Sequence, residues 1–450
     1  MAPDLRGSLR SSIQLDELSA PSLTPPTSPE QGSDQGNEIQ ALPRADGGRQ
    51  AWQFLIACFI LEATVWGFPF SFGVFQTYYT THEPFSRSPA GIPAIATTAT
   101  GMMYLGSPFV AFSIARWPFL RSAFLWTGFF TVVAALIGAS FAQSTPGLLA
   151  TQGVLYAIGG LVLYFPAMAL VDEWFIARKS LAFGVMWAGA GVSGVVVPFL
   201  MQWLLEEYGF RVALRVWTVI FCALVIPSLL VAKPRLPITA ANRVRPVDWS
   251  FLMTSSFWFF EAGVVLEGMG FFLPQLWIPS FAASFGFPSY AGALALALYN
   301  VLAMVSSILT GMMCDRLHVT TVISILTLGS VVACFLFWGL ASTAPMLYLF
   351  AVVWGLFAGG FSTTWSGSAV ALSRRSGRDS DVVAVISLFA AGKGIGSIAS
   401  GPLSERLLHL GPMRNAGFAY GTSYGNLVVF TGITALLGGT AWVGKLFRLV

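Results

Sequence analysis

Lys233-Pro234-Arg235-Leu236-Pro237-Ile238-Thr239-Ala240-Ala241-Asn242-Arg243-Val244-Arg245-Pro246-Val247-Asp248 is the longest polar interruption after residue 51. Six apolar runs precede it, at about 51–79, 91–114, 122–142, 147–171, 180–204 and 212–232. Six follow, at about 251–283, 289–313, 320–341, 345–372, 382–403 and 419–446. Each is long enough to cross a hydrocarbon core of about 30 Å as a helix. The pattern predicts an all-α polytopic membrane protein, with twelve transmembrane helices in two six-helix bundles.

Composition agrees. Of 450 residues, 55% are hydrophobic and only 10% are charged, against about 25% charged in a soluble domain. Mean hydropathy is +0.72. So little charge cannot coat a water-soluble protein of this length, which excludes a soluble globular enzyme and a disordered scaffold. A membrane β-barrel would alternate in polarity over short segments, and these runs do not. The 46 glycines and 25 prolines suit membrane helices, where small residues let backbones approach and prolines are tolerated. The net charge of +4 is spread over short loops, with no basic face for nucleic acid. Cys58, Cys222, Cys314 and Cys334 all fall in apolar runs and read as packing residues. His82, His318 and His409 fall far apart, so no metal or cofactor site is expected.

Residues 1–45 form a polar segment rich in proline and serine, expected to be a disordered cytosolic tail. An N-terminal bundle over 46–232, a cytosolic linker over 233–250 and a C-terminal bundle over 251–450 follow. With the N-terminus inside, Arg44, Arg49, Arg116, Arg121, Arg178, Lys179, the linker cations, Arg316, Arg374 and Arg375 all face the cytosol. Only Arg87, Arg211, Arg215, Arg406 and Arg414 lie outside. The positive-inside bias therefore places both termini in the cytosol. An odd number of crossings would scramble it.

Three local patterns point to a family. Asp46-Gly47-Gly48-Arg49-Gln50-Ala51-Trp52 opens the first helix. Trp174-Phe175-Ile176-Ala177-Arg178-Lys179-Ser180-Leu181-Ala182-Phe183-Gly184 joins the fourth and fifth. Gly311-Met312-Met313-Cys314-Asp315-Arg316 ends the eighth. The first two resemble segments of the monocarboxylate porter family and its fungal relatives. The third resembles the Gly-x-x-x-Asp-Arg loop of the major facilitator superfamily, whose first-half copy near Ser113 to Arg121 is degenerate here. The resemblance implies alternating access by two rocking bundles. The animal carriers' Asp/Arg pair in helix eight and lysine in helix one are missing, so lactate–proton symport does not transfer.

A charge at the bilayer centre costs about 2.5–3.5 kcal/mol by insertion scales, so each one kept there needs a partner or a water-filled cavity. Glu62 in helix one, Glu267 in helix seven and Lys393 in helix eleven sit at that depth, and Asn300 joins them from helix eight. These four are the expected substrate-binding or coupling residues. Lys393 is the candidate anion-binding or carboxylate-pairing cation, and Glu62 or Glu267 the protonatable group. Asp315 and Arg316 are the expected gating pair, and Tyr299 and Trp365 are further residues placed to face a cavity.

The favoured reading is a secondary active transporter, not an enzyme, proton-coupled by family resemblance. It would move a small organic anion or amphipathic metabolite across the plasma membrane, as an exporter of a fungal secondary metabolite working as a monomer among lipid. The alternatives are an uptake porter for a small monocarboxylate and, more remotely, a non-transporting membrane sensor.

Overall fold

The computed structural model describes residues 43–87, 91–236, 248–288, 290–376, 382–413 and 416–446. The expected tail up to residue 42 and the linker stretch 237–247 lie outside them. Among the described residues every regular element is helical, and twelve apolar rods follow one another. They are α1 (Arg49–Thr81), α2 (92–116), α3 (Pro118–Ser140), α4 (Thr145–Trp174), α5 (179–208), α6 (210–231), α7 (Ser255–Ser284), α8 (Ala291–Arg316), α9 (Val319–Trp338), α10 (Ala344–Arg374), α11 (Val382–His409) and α12 (Gly425–Trp442). α5 and α6 are two helices that meet at a sharp kink at Gly209, whose φ of 74° lies in the left-handed region that glycine tolerates. α2 changes course at Gly106.

The first and seventh helices are each interrupted. α1 breaks at Ser71, two residues after Pro69, and α7 breaks at Phe272, just before Pro274. In each half the broken helix lies along a glycine-rich partner, α1 on α5 and α7 on α11. A Cβ on Gly189 of α5 would lie 2.4 Å from the Phe59 carbonyl, and one on Gly396 of α11 would lie 2.5 Å from the Val265 carbonyl. Both contacts need glycine. The faces turned away from the protein carry exposed Phe109, Phe130, Val219 and Leu328, as a lipid-facing surface requires.

Two helix pairs join the halves. α5 runs against α8, with successive contacts at Ser180 with Asp315, Gly184 with Ser307, Gly191 with Met304 and Gly194 with Asn300. α2 runs against α11, where Ser107 donates to the Ser387 carbonyl at 2.8 Å, Tyr104 covers Gly394, and Gly101 meets Ile398. Both contacts begin at the end that carries the α6–α7 connection, called the linker face here, and both reach the middle of the bundle. The halves are therefore closed together at the linker face, and the cavity described next lies above that closure.

Candidate functional site

A cavity lies between the halves at mid-depth. Its volume is about 120 Å³. That is far more than the roughly 10–15 Å³ that a single water needs, and enough for a small organic molecule. Its walls are aromatic, with Trp66, Tyr104 and Trp187 from the first half and Phe271, Tyr299 and Trp365 from the second.

Lys393 reaches the cavity from α11 and is 1% exposed. Its Nζ lies 3.3 Å from Glu267 Oε2, donates to Ser362 Oγ at 3.1 Å, and sits 3.5 Å from the Phe271 ring centroid. Lys393 and Glu267 form a buried ion pair. Glu267 itself stands behind the lysine, against Gly270, Thr327 and Gly438, and does not line the central cavity. Glu62 lines the opposite wall. The Tyr164 hydroxyl hydrogen-bonds to it, and Trp187 Nε1 donates to that hydroxyl at 2.7 Å. Glu62 Oε2 is buried without a hydrogen-bond partner. Asn300 also lines the cavity, with its amide committed to backbone. It donates to Leu296 O at 3.0 Å on its own helix and to Gly194 O at 3.4 Å across the inter-half seam.

Asp315 lies elsewhere, at the linker-face end of α8. Its Oδ1 accepts from Ser180 N and its Oδ2 from Leu181 N, both at 2.9 Å. These amides belong to the first turn of α5, where a helix leaves its N–H groups without partners. The residue that starts α5, Arg178, makes no side-chain cap. An aspartate from the other half supplies it, and a carboxylate at a helix N-terminus is favoured by the dipole as well. Gly311, one turn earlier, allows the approach, because a Cβ there would lie 2.4 Å from Ser180 O. Arg316 is exposed and lines a larger opening below the clamp, of about 560 Å³, together with Lys179, His318 and Arg374.

A second aspartate holds the same approach from within the first half. Asp46 Oδ1 accepts from Ile176 N and Arg178 N, both at 2.8 Å, and Asp46 N donates to Trp174 O. Burial alone would raise its carboxyl, but the amides of Ala177, Arg178 and Ile176 and the Arg178 charge outweigh it and hold it below the ordinary range. Beside it Glu173 pairs with Arg121, Asp172 pairs with Lys179, and Arg235 donates to Pro43 O at 2.8 Å.

Glu62, Lys393 and Asn300 therefore share one cavity, with Glu267 directly behind it and Asp315 and Arg316 at the linker face. Tyr164, Trp187 and Ser362 were not anticipated. Tyr164 is one of several hydroxyls in a largely apolar helix, and no periodicity separates it from its packed neighbours. No cluster of metal ligands occurs among the described residues, where the four cysteines are free.

A sequence profile of the Major Facilitator Superfamily matches residues 54–401. The chain belongs to that superfamily. It is a multi-pass membrane transporter, not an enzyme. It is similar to the MFS-type transporter pynF of Aspergillus niger, 24% identical over 90% of this chain and 91% of the relative. It is also similar to the Agnestins efflux protein AgnL12 of Paecilomyces divaricatus, 26% identical over 94% and 93%. Among solved structures, a variant of the E. coli fucose:proton symporter FucP superposes with a TM-score of 0.66 at 13% identity, covering 88% of this chain and 97% of that one. The human organic anion transporter MFSD10 gives 0.64 at 14% identity, covering 87% and 99%. At such identities these two establish the fold alone.

Proposed function

We propose that this chain exports an amphipathic organic anion across the plasma membrane in exchange for protons, with both termini in the cytosol. On this reading the bundles over 46–232 and 251–450 rock about the central cavity, joined by the linker over 233–250, and one copy of the chain suffices. The observation that carries it is the pairing of a buried ammonium, Lys393, with a buried carboxylate, Glu62, on opposite halves of one aromatic cavity. The cation selects for an anion, and the aromatic walls favour an apolar body. Glu62, with one oxygen unpartnered, is the group that takes up the counter-moving proton. Export as the direction draws support from the name of AgnL12. Kinship with fungal members of the monocarboxylate porter family rests on the segments at Asp46–Trp52 and Trp174–Gly184. Asp315 is the gate residue that holds the linker face shut, and Arg316 lines the opening beneath it.

Deletion of the gene, with metabolite profiling of cells and medium, tests this. One product should accumulate inside and fall outside, and re-expression should reverse both changes. Loss of growth on a single organic acid, with no intracellular build-up, would instead establish uptake and overturn the reading.

A further inference from the structure

Three buried polar atoms of cavity-wall residues have no partner: Trp66 Nε1, Trp365 Nε1 and Glu62 Oε2. Their residues are only 4–5% exposed. Buried polar groups are nearly always hydrogen-bonded, so each orphan calls for a missing partner. The orphans are of different kinds. The two indoles can only donate, and an ionised Glu62 can only accept. The missing partner must therefore present acceptor oxygens to the indoles and a donor to Glu62. Lys393 adds a preference for negative charge, since its ammonium reaches the cavity while Glu267 pairs with it from behind. The space between is flanked by rings. Trp66 lies 4.8 Å from Tyr104, and Trp187 meets Trp365 edge-on at 5.8 Å. Such walls favour a flat ring over a flexible chain, because a ring keeps face and edge contacts without losing rotamer freedom.

We propose that the central cavity takes a planar, oxygenated aromatic acid. Its ionised oxygen lies at Lys393, its further acceptor oxygens at Trp365 and Trp66, and a hydroxyl on the opposite edge donates to Glu62. This rests on the transport reading for its purpose but concerns binding alone, so the two can fail separately.

The purified full-length chain in detergent provides the test, with quenching of tryptophan fluorescence as the readout. The probes are a hydroxynaphthoic acid with its hydroxyl on the far ring, naphthoic acid without the hydroxyl, the methyl ester of the hydroxy acid, and octanoic acid. The hydroxy acid should bind most tightly. Loss of the hydroxyl or of the charge should each weaken binding about tenfold, as expected for a hydrogen bond to a charged group, and octanoate should bind more weakly still. Glu62→Ala should erase the preference for the hydroxyl and keep the preference for the free acid. Lys393→Met should do the reverse. The comparison within the unmodified protein decides even if a variant fails to fold. Equal binding of the hydroxylated and plain acids, or octanoate binding as tightly as either, would overturn the proposal. Binding as expected in a chain whose deletion moves no metabolite would sink the exporter reading and leave this one standing.

Discussion

The two aspartates that hold the start of α5 make a paired test, because their chemistry is alike and their mechanical positions differ. Asp315 reaches the amides of Ser180 and Leu181 from the other half, and Asp46 reaches those of Ile176 and Arg178 from its own half. When the halves separate at the linker face, both Asp315 bonds break and both Asp46 bonds persist. A helix cap contributes about 0.5–2 kcal/mol and a hydrogen bond to a charged group about 1.5–3 kcal/mol. Water replaces part of this in the open state, which leaves about 2 kcal/mol for the clamp. Asp315→Ala should therefore raise the open-to-closed ratio about thirtyfold at the linker face. Asp315→Asn, which keeps one acceptor, should give a smaller shift. Asp46→Ala should lower thermal stability and leave the ratio unchanged. Spin labels at exposed Lys233 in the first half and Leu317 in the second would report it as a distance distribution measured by electron–electron resonance. If Asp315→Ala leaves the distribution unmoved, or Asp46→Ala moves it equally, the clamp is not what holds the face closed.

Three further outcomes follow from the geometry. Lys393→Ala should abolish transport and reduce the folded yield, since it strands Glu267 as a buried unpaired charge at about 3–5 kcal/mol; adding Glu267→Gln should restore yield but not transport, measured by size-exclusion recovery and flux. Gly184→Ala would place a Cβ 2.3 Å from Ser307 O across the seam, and Gly189→Ala one 2.4 Å from Phe59 O within a half; the first should shift the spin-label distances and the second should lower the melting temperature without shifting them. His318 caps α9 through Nδ1 and Thr320, and burial, with help from Lys445 and Arg374, holds its ring below its ordinary value. The neutral cap is then fully present above pH about 6.5 and is lost as pH falls below that value. His318→Asn should flatten that part of the stability profile in a thermal melt.

How much of this was legible in the sequence follows from the length scale of each signal. A twenty-residue apolar run is set by the thickness of a bilayer, so the twelve crossings stand out in the sequence. Buried charges are rare enough in oil that Glu62, Glu267 and Lys393 stood out singly. Their mutual arrangement did not. Whether Glu267 faces the cavity or backs Lys393 depends on the rotation of α7 against α11, fixed by the contact of Gly268 with the Lys393 backbone. One residue of slip would turn the carboxylate by about 100°. Apart from Tyr299 and Trp365, the cavity aromatics were illegible for a simpler reason. With 38 phenylalanines and 15 tryptophans in the chain, composition offers no means of telling a ring that faces the cavity from one that faces lipid.

The same geometry bears on how a ligand could drive the cycle. A ligand shifts a two-state equilibrium only by as much as it prefers one state. The seam must therefore be weak enough for a small molecule to overcome, and a clamp of about 2 kcal/mol is of that order, since a hundredfold difference in affinity is worth about 2.7 kcal/mol. The position of the charges then matters more than their strength. Lys393 belongs to the second half and Glu62 to the first, so rocking changes the separation between them. A ligand that touches both is bound differently in the two states by geometry alone. One held only by Lys393 and its neighbours Ser362 and Phe271 would travel with that half and bias nothing. On the proposed transport reading, coupling requires a ligand that spans the cavity, and molecules that satisfy only one wall should bind as inhibitors without being moved.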